Sequence, residues 1–112
     1  MDDHQTFRDE IMEILHRNGH EAEGVDLAED AIPMVEKGKY DIVLVDYNMP
    51  GQNGLWFMKH VNLPSSTKAI LVTAHVNRRM IHEMFKTGVS GYIIKPFDEM
   101  ALMKNLEFHC EQ

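Results

Sequence analysis

Three short apolar runs, each closed by a chemically capable polar residue, constrain this chain more than any other feature. Ile42–Val45 runs into Asp46, Ala69–Val72 into Thr73, and Tyr92–Ile94 into Lys95. None alternates with polar residues. That pattern predicts strands covered on both faces, as in a parallel sheet, rather than strands with one wet face. Helical spacing fills the intervals. Leu55, Met58 and Val61 recur after the first run; Met80, Ile81, Met84 and Phe85 form a stripe after the second, which Gly88 closes. Upstream, Phe7, Ile11, Ile14 and Leu15 mark an amphipathic helix that ends at Asn18-Gly19. Residues 20–26, HEAEGVD, predict a weaker strand, and residues 28–38 a helix made irregular by Pro33, which removes one backbone donor. The last helix is expected to start near Asp98, an N-cap, and to run to about Cys110. A helix followed by four strand–helix units predicts a doubly wound α/β sheet with right-handed crossovers.

Size and charge narrow the function. The 112 residues fit one domain, 1–112, and at 44% hydrophobic they can bury a core without metal or disulfide staples. The formal charge of −7 argues against direct binding of nucleic acid. Cys110 has no internal partner, which fits a reducing compartment, and a cytoplasmic location is expected. No stretch approaches the roughly 20 apolar residues that span a bilayer, and Asp2, Asp3 and His4 follow Met1 where a signal peptide would be apolar, so no membrane role is expected. Seven scattered histidines lack paired helical spacing and predict no zinc site, and the nine methionines read as core filling.

In a parallel sheet Asp46, Thr73 and Lys95 emerge at one carboxyl edge, where open α/β folds bind ligands. Asp2 and Asp3 precede the first helix and are expected at the same edge. Three carboxylates in one crevice repel one another unless a cation intervenes. Mg²⁺ suits such a site, because it takes oxygen ligands and keeps waters that a phosphate can replace. Lys95 would then neutralise a phosphoryl oxygen and Thr73 would donate a hydrogen bond to another. Asp46, the central carboxylate, could act as a nucleophile and carry an acyl phosphate.

These residues resemble the receiver domains of two-component response regulators. DYNMPGQNG, from Asp46 to Gly54, is similar to the family's phosphoacceptor motif; VTAH, 72–75, to its strand end of Thr or Ser followed by a small residue; and GYIIKPF, 91–97, to its Lys-Pro segment. The resemblance covers essentially the whole chain. It implies a flavodoxin-like receiver fold with strand order 2-1-3-4-5, and a signalling phosphoacceptor that catalyses its own phosphorylation and dephosphorylation rather than a turnover enzyme. Asp46 would accept a phosphoryl group from a histidine kinase or phosphotransfer protein. Asp3, Asp46 and the Asn48 carbonyl would bind Mg²⁺ directly, and Asp2 through water. Thr73 and the Ala74 amide would contact phosphoryl oxygens and Lys95 would pair with one. Tyr92 would turn inward with Thr73 on activation. Asn48 and His75 would tune the phosphate's lifetime, and Lys95–Pro96 would be a cis bond. The output face would be the fourth helix, last strand and last helix, with homodimerisation through it expected.

One departure stands at the front. Receivers that resemble this chain begin with an apolar strand directly before the acidic pair, and here only Met1 precedes it. That first strand is therefore expected to be missing or replaced, and with it roughly four buried side chains at ~1.5–3 kcal/mol each. No output domain is expected after the last helix. Two other readings compete: a receiver-like interaction module that no longer cycles phosphate, and a small phosphatase-like or flavodoxin-like enzyme. Asp46 is followed by Tyr-Asn rather than by a second acid two residues on, and no loop rich in Ser, Thr and Gly offers to cradle a flavin phosphate, so the enzyme reading ranks last.

Overall fold

A computed structural model describes residues 1, 4–49, 51–74 and 77–110. Helix α1 spans Gln5–Arg17, α2 Ala28–Glu36, β1 Ile42–Asp46, α3 Gly54–His60, β2 Lys68–Thr73, α4 Arg78–Lys86, β3 Val89–Ile94 and α5 Glu99–Cys110. The three strands pair in parallel in the order β1-β2-β3. The expected strand over residues 20–26 does not form. HEAEGVD is polar at four of its seven positions, and among the described residues it finds no neighbouring strand to pair with. Among the described residues the sheet thus has three strands, not four.

Helix boundaries follow local chemistry. Asp98 caps α5, accepting from the Ala101 amide through its Oδ1 at 2.8 Å. Asn77 caps α4 by accepting from Arg79 and Met80. Gly19 and Gly88 follow α1 and α4 with φ of 84° and 110°, a conformation glycine enters without strain. Pro33 lies inside α2, which runs as one helix from Ala28 to Glu36.

The sheet is sandwiched. Val43, Val45, Ala69, Leu71 and Val89 face α2, α3 and α4, where they meet Ala31, Phe57, Met58 and Met84. Ile70 and Ile93 face α1 and α5, meeting Leu102 and Leu106 with half-buried Ile11, Ile14 and Leu15 around them. Val89 and Ile93 serve opposite layers because the β2–β3 register shifts between Ala69 and Ile70, which inserts one residue into β3. β2 is covered on both faces, as its sequence predicts. β3 is not: it alternates, and Ser90, Tyr92 and Ile94 are exposed. It is an edge strand, so the unbroken apolar run Tyr92–Ile94 does not mean burial on both faces.

Helix α1 differs from its neighbours in having no fully buried residue. A cleft of about 980 Å³ lies beside it, walled by α1, residues 19–25, α2 and the outer edge of β1.

Candidate functional site

The register brings the three strand-terminal residues together. Asp46 pairs with Val72 and Thr73 with Ile94, so Asp46, Thr73 and Lys95 leave the sheet side by side. The Tyr47 amide donates to the Val72 carbonyl at 3.2 Å and the Lys95 amide to the Thr73 carbonyl at 2.7 Å, which fixes the three ends against one another.

Asp46 is 5% exposed, a buried carboxylate that requires partners. Lys95 Nζ donates to its Oδ2 at 3.1 Å, and the Asn48 amide to its Oδ1 at 3.2 Å. Its own backbone amide donates to the Met1 carbonyl at 3.2 Å. Lys95 is held from its other side as well, lying 4.2 Å above the Phe7 ring, which packs edge-on against Phe97 at 5.6 Å. Thr73 is fully buried and Ala74 is exposed. The Lys95–Pro96 bond is cis, as expected. Tyr92 stands outward, 41% exposed, and meets Phe85 edge-on at 6.3 Å.

The loop after Asp46 returns to it within eight residues. Asn53 caps α3, accepting from the Trp56 amide at 3.0 Å, and the Gly54 amide donates to the Tyr47 carbonyl at 3.2 Å. A side chain at Gly54 would start 2.7 Å from the Asp46 carbonyl oxygen, so the helix reaches the strand end this closely only through glycine.

Asp2, Asp3, Pro50 and His75 lie outside the described residues. Among the described residues no group of three or more His, Cys, Asp or Glu side chains gathers to hold a metal ion. Asp46 and the Asn48 backbone supply hard oxygen donors of the kind Mg²⁺ takes. They fit that ion as part of the set expected with Asp2 and Asp3, which follow Met1 directly in sequence.

Sequence reasoning missed two supports. Phe7 counted as core because it shares a helical stripe with Ile11 and Ile14, yet its ring backs Lys95. Met1 figures in the sequence only as the residue before the acidic pair, yet its backbone bonds to β1 at both Leu44 and Asp46.

The geometry agrees with what the chain is similar to. The family model for the response regulator receiver domain matches residues 1–107, and the chain belongs to that family. It is 34% identical over 112 residues to the chemotaxis protein CheY of Pseudomonas aeruginosa, covering 96% of this chain and 90% of that one. It is 33% identical over 111 residues to the chemotaxis protein CheY-3 of Vibrio cholerae, covering 96% of this chain and 85% of its relative. The solved structure of chemotaxis protein CheY4 of Vibrio cholerae superposes with a TM-score of 0.88 at 27% identity, covering 96% of this chain and 92% of that one. A CheY-like receiver domain from Methanospirillum hungatei reaches a TM-score of 0.90 at 23% identity, covering 98% of this chain and 89% of that one, a likeness of fold.

Proposed function

We propose that this receiver domain is a phosphoacceptor switch, with Asp46 as the nucleophile. The observation that carries the reading is a buried carboxylate at a strand end with an ammonium group 3.1 Å away. In the step proposed, an Asp46 oxygen attacks the phosphorus of a phosphohistidine on a histidine kinase or phosphotransfer protein. The N–P bond breaks, its electron pair stays on the imidazole, and an acyl phosphate forms. Lys95 transfers from the carboxylate to a phosphoryl oxygen, and the Thr73 hydroxyl and Ala74 amide take the others. Mg²⁺ bound by Asp46, the Asn48 carbonyl, Asp3 and, through water, Asp2 would offset the charge on the phosphoryl oxygens. Both transfer and hydrolysis would occur on this domain, in the cytoplasm, with no separate enzyme function.

The output face would be α4, β3 and α5. Phe85, Tyr92, Ile94, Met100 and Phe108 are exposed along it, more apolar surface than an isolated helix–strand edge needs. Drawing Thr73 toward a phosphoryl group would let Tyr92 turn inward beneath it and reshape that face. A second copy or another protein would read the change there.

Acetyl phosphate with Mg²⁺ tests the reading. Wild type should gain one phosphoryl mass and Asp46→Asn none, with the fold retained; labelling of the Asn variant would overturn the assignment. The competing reading, an interaction module that no longer cycles phosphate, draws on the absence of a fourth strand among the described residues. It gains if wild type fails to label.

A further inference from the structure

Lys95 reaches Asp46 on a long, freely rotating stem. The residue lies just past the end of β3, so the strand fixes its backbone and leaves several rotamers open to the four-carbon side chain. Its ammonium nevertheless stands in one place, 3.1 Å from Asp46 Oδ2 and 4.2 Å from the centre of the Phe7 ring. A cation over an aromatic face gains little in open water and several-fold more where solvent is displaced. The Lys95 side chain is only 20% exposed, so the ring contact belongs to the stronger kind.

The ring is itself built into the fold. Phe7 stands at the start of α1 on the stripe of Ile11, Ile14 and Leu15, whose packing on the layer of Ile70, Ile93, Leu102 and Leu106 sets the rotation of the helix. Phe97 packs on the same layer and meets Phe7 edge-on, with an interplanar angle of 79°. Phe7 is thus braced by its own helix and by a residue two past Lys95. Such a ring suits a cation that has to change partners. A carboxylate in its place would neutralise the ammonium and repel an arriving phosphoryl group. The ring carries no net charge, attracts the cation without demanding one N–H direction, and leaves the ammonium's three donors to oxygen acceptors. The ammonium can therefore pass from Asp46 to a phosphoryl oxygen while it stays over the ring.

We propose that Phe7 is a positioning residue for phosphoryl transfer: its ring confines the Lys95 ammonium beside the phosphoacceptor carboxylate and keeps its charge available to the incoming phosphoryl oxygens. This role rests on Asp46 as the phosphoacceptor, and Phe7 serves it through Lys95 without touching phosphate.

The test compares wild type with Phe7→Leu, Phe7→Tyr and a chain carrying pentafluorophenylalanine in place of Phe7, which keeps the ring's outline and inverts the charge on its face. Acetyl-phosphate labelling with Mg²⁺ gives the rate, and the proton shifts of the Lys95 ε-methylene report the contact without phosphate. In wild type those protons should be displaced upfield by the ring current, and Phe7→Leu should return them to the ordinary lysine value. Labelling should slow about 3- to 30-fold in Phe7→Leu, at least as much in the fluorinated chain, and stay within about twofold of wild type in Phe7→Tyr. A ring that only fills space would leave the fluorinated chain at the wild-type rate, and that result overturns the proposal. So does equal slowing of Phe7→Tyr and Phe7→Leu, or a wild type whose ε-protons keep the ordinary value. If Phe7→Leu does not fold, the fluorinated chain decides. A wild type that shows the ring-current shift and takes no phosphoryl group overturns the phosphoacceptor reading and the positioning role with it, whereas a labelled wild type beside an unslowed fluorinated chain removes Phe7 alone.

Discussion

Gly54→Ala is a single methyl group placed where the site is tightest. The added carbon would sit 2.7 Å from the Asp46 carbonyl oxygen, 3.0 Å from Val45 Cγ1 and 3.1 Å from Tyr47 Cα. A carbon–oxygen contact relaxes to about 3.3 Å, so the first turn of α3 has to withdraw by about 0.6 Å. Two of the three obstacles are backbone atoms, which cannot rotate away. Overpacking of this kind costs ~1–3 kcal/mol, whereas replacing glycine in an unstrained helix position gains ~0.4–1 kcal/mol from the unfolded state. The net expectation is a loss of roughly 1–2 kcal/mol, or about 4–15 °C in Tm for a domain of this size. Withdrawal also pulls on Tyr47, whose carbonyl accepts the Gly54 amide. Acetyl-phosphate labelling at Asp46 should therefore slow as well. Trp56 fluorescence follows the melt from within α3. A Tm equal to or above wild type would refute the close approach, because the helix-propensity gain would then stand unopposed.

Lys95→Met leaves the buried Asp46 carboxylate without its ammonium partner; we expect a loss of about 1–3 kcal/mol in urea unfolding and slower acetyl-phosphate labelling. Unchanged stability would mean that the carboxylate's other partners, the Asn48 amide among them, satisfy it. Asn53→Ala removes the acceptor of the Trp56 amide and should lower stability by about 0.5–2 kcal/mol in the same assay, with the labelling site still Asp46. His109 is buried and its ring packs on Gly91; burial, and secondarily the charge of Lys68, hold its pKa below the ordinary value. The unfolded chain therefore takes up the proton first, and stability should fall as pH drops through about 6.5 and level off below the folded pKa. His109→Leu should flatten that part of the profile, and a profile unchanged by the substitution would sink the reasoning.

How much of this was legible in the sequence depended on how local each cause was. β1 and β2 could be read because their apolar runs need no partner to be recognised, and Asp46, Thr73 and Lys95 because a parallel register brings run ends together. Asn53 and Gly54 lie within the motif, but their work depends on a loop that folds back on its own strand, and only coordinates give that distance. The 20–26 strand failed for the opposite reason. Its weak pattern would need a neighbour on which to form a ladder, and among the described residues none lies beside it. Tyr92 and Ile94 misled in another way, since apolarity does not distinguish a central strand from an edge strand whose outer face waits for a partner. Phe7 was legible as apolar and not as a neighbour of Lys95, because that contact joins residues far apart in sequence.

The same separation explains how α1 is held. With none of its residues fully buried, α1 packs along its length through half-buried Ile11, Ile14 and Leu15 and is fastened further at its two ends. At the amino end Phe7 sits between Lys95 and Phe97. At the carboxyl end Arg17 pairs with Glu99, which also accepts from Asn18 at 3.1 Å, and these contacts hold the Glu99 carboxyl below its usual range. Both partners there are exposed, so salt screens that fastening and it contributes little. The firmer attachment is the aromatic one, and it shares its cation with Asp46. Helix α1 is thus tied to the lysine that pairs with Asp46, and Met1 bonds to the Asp46 amide from the other side. Asp46 is among the residues that line the cleft, so the cleft and the acidic crevice adjoin.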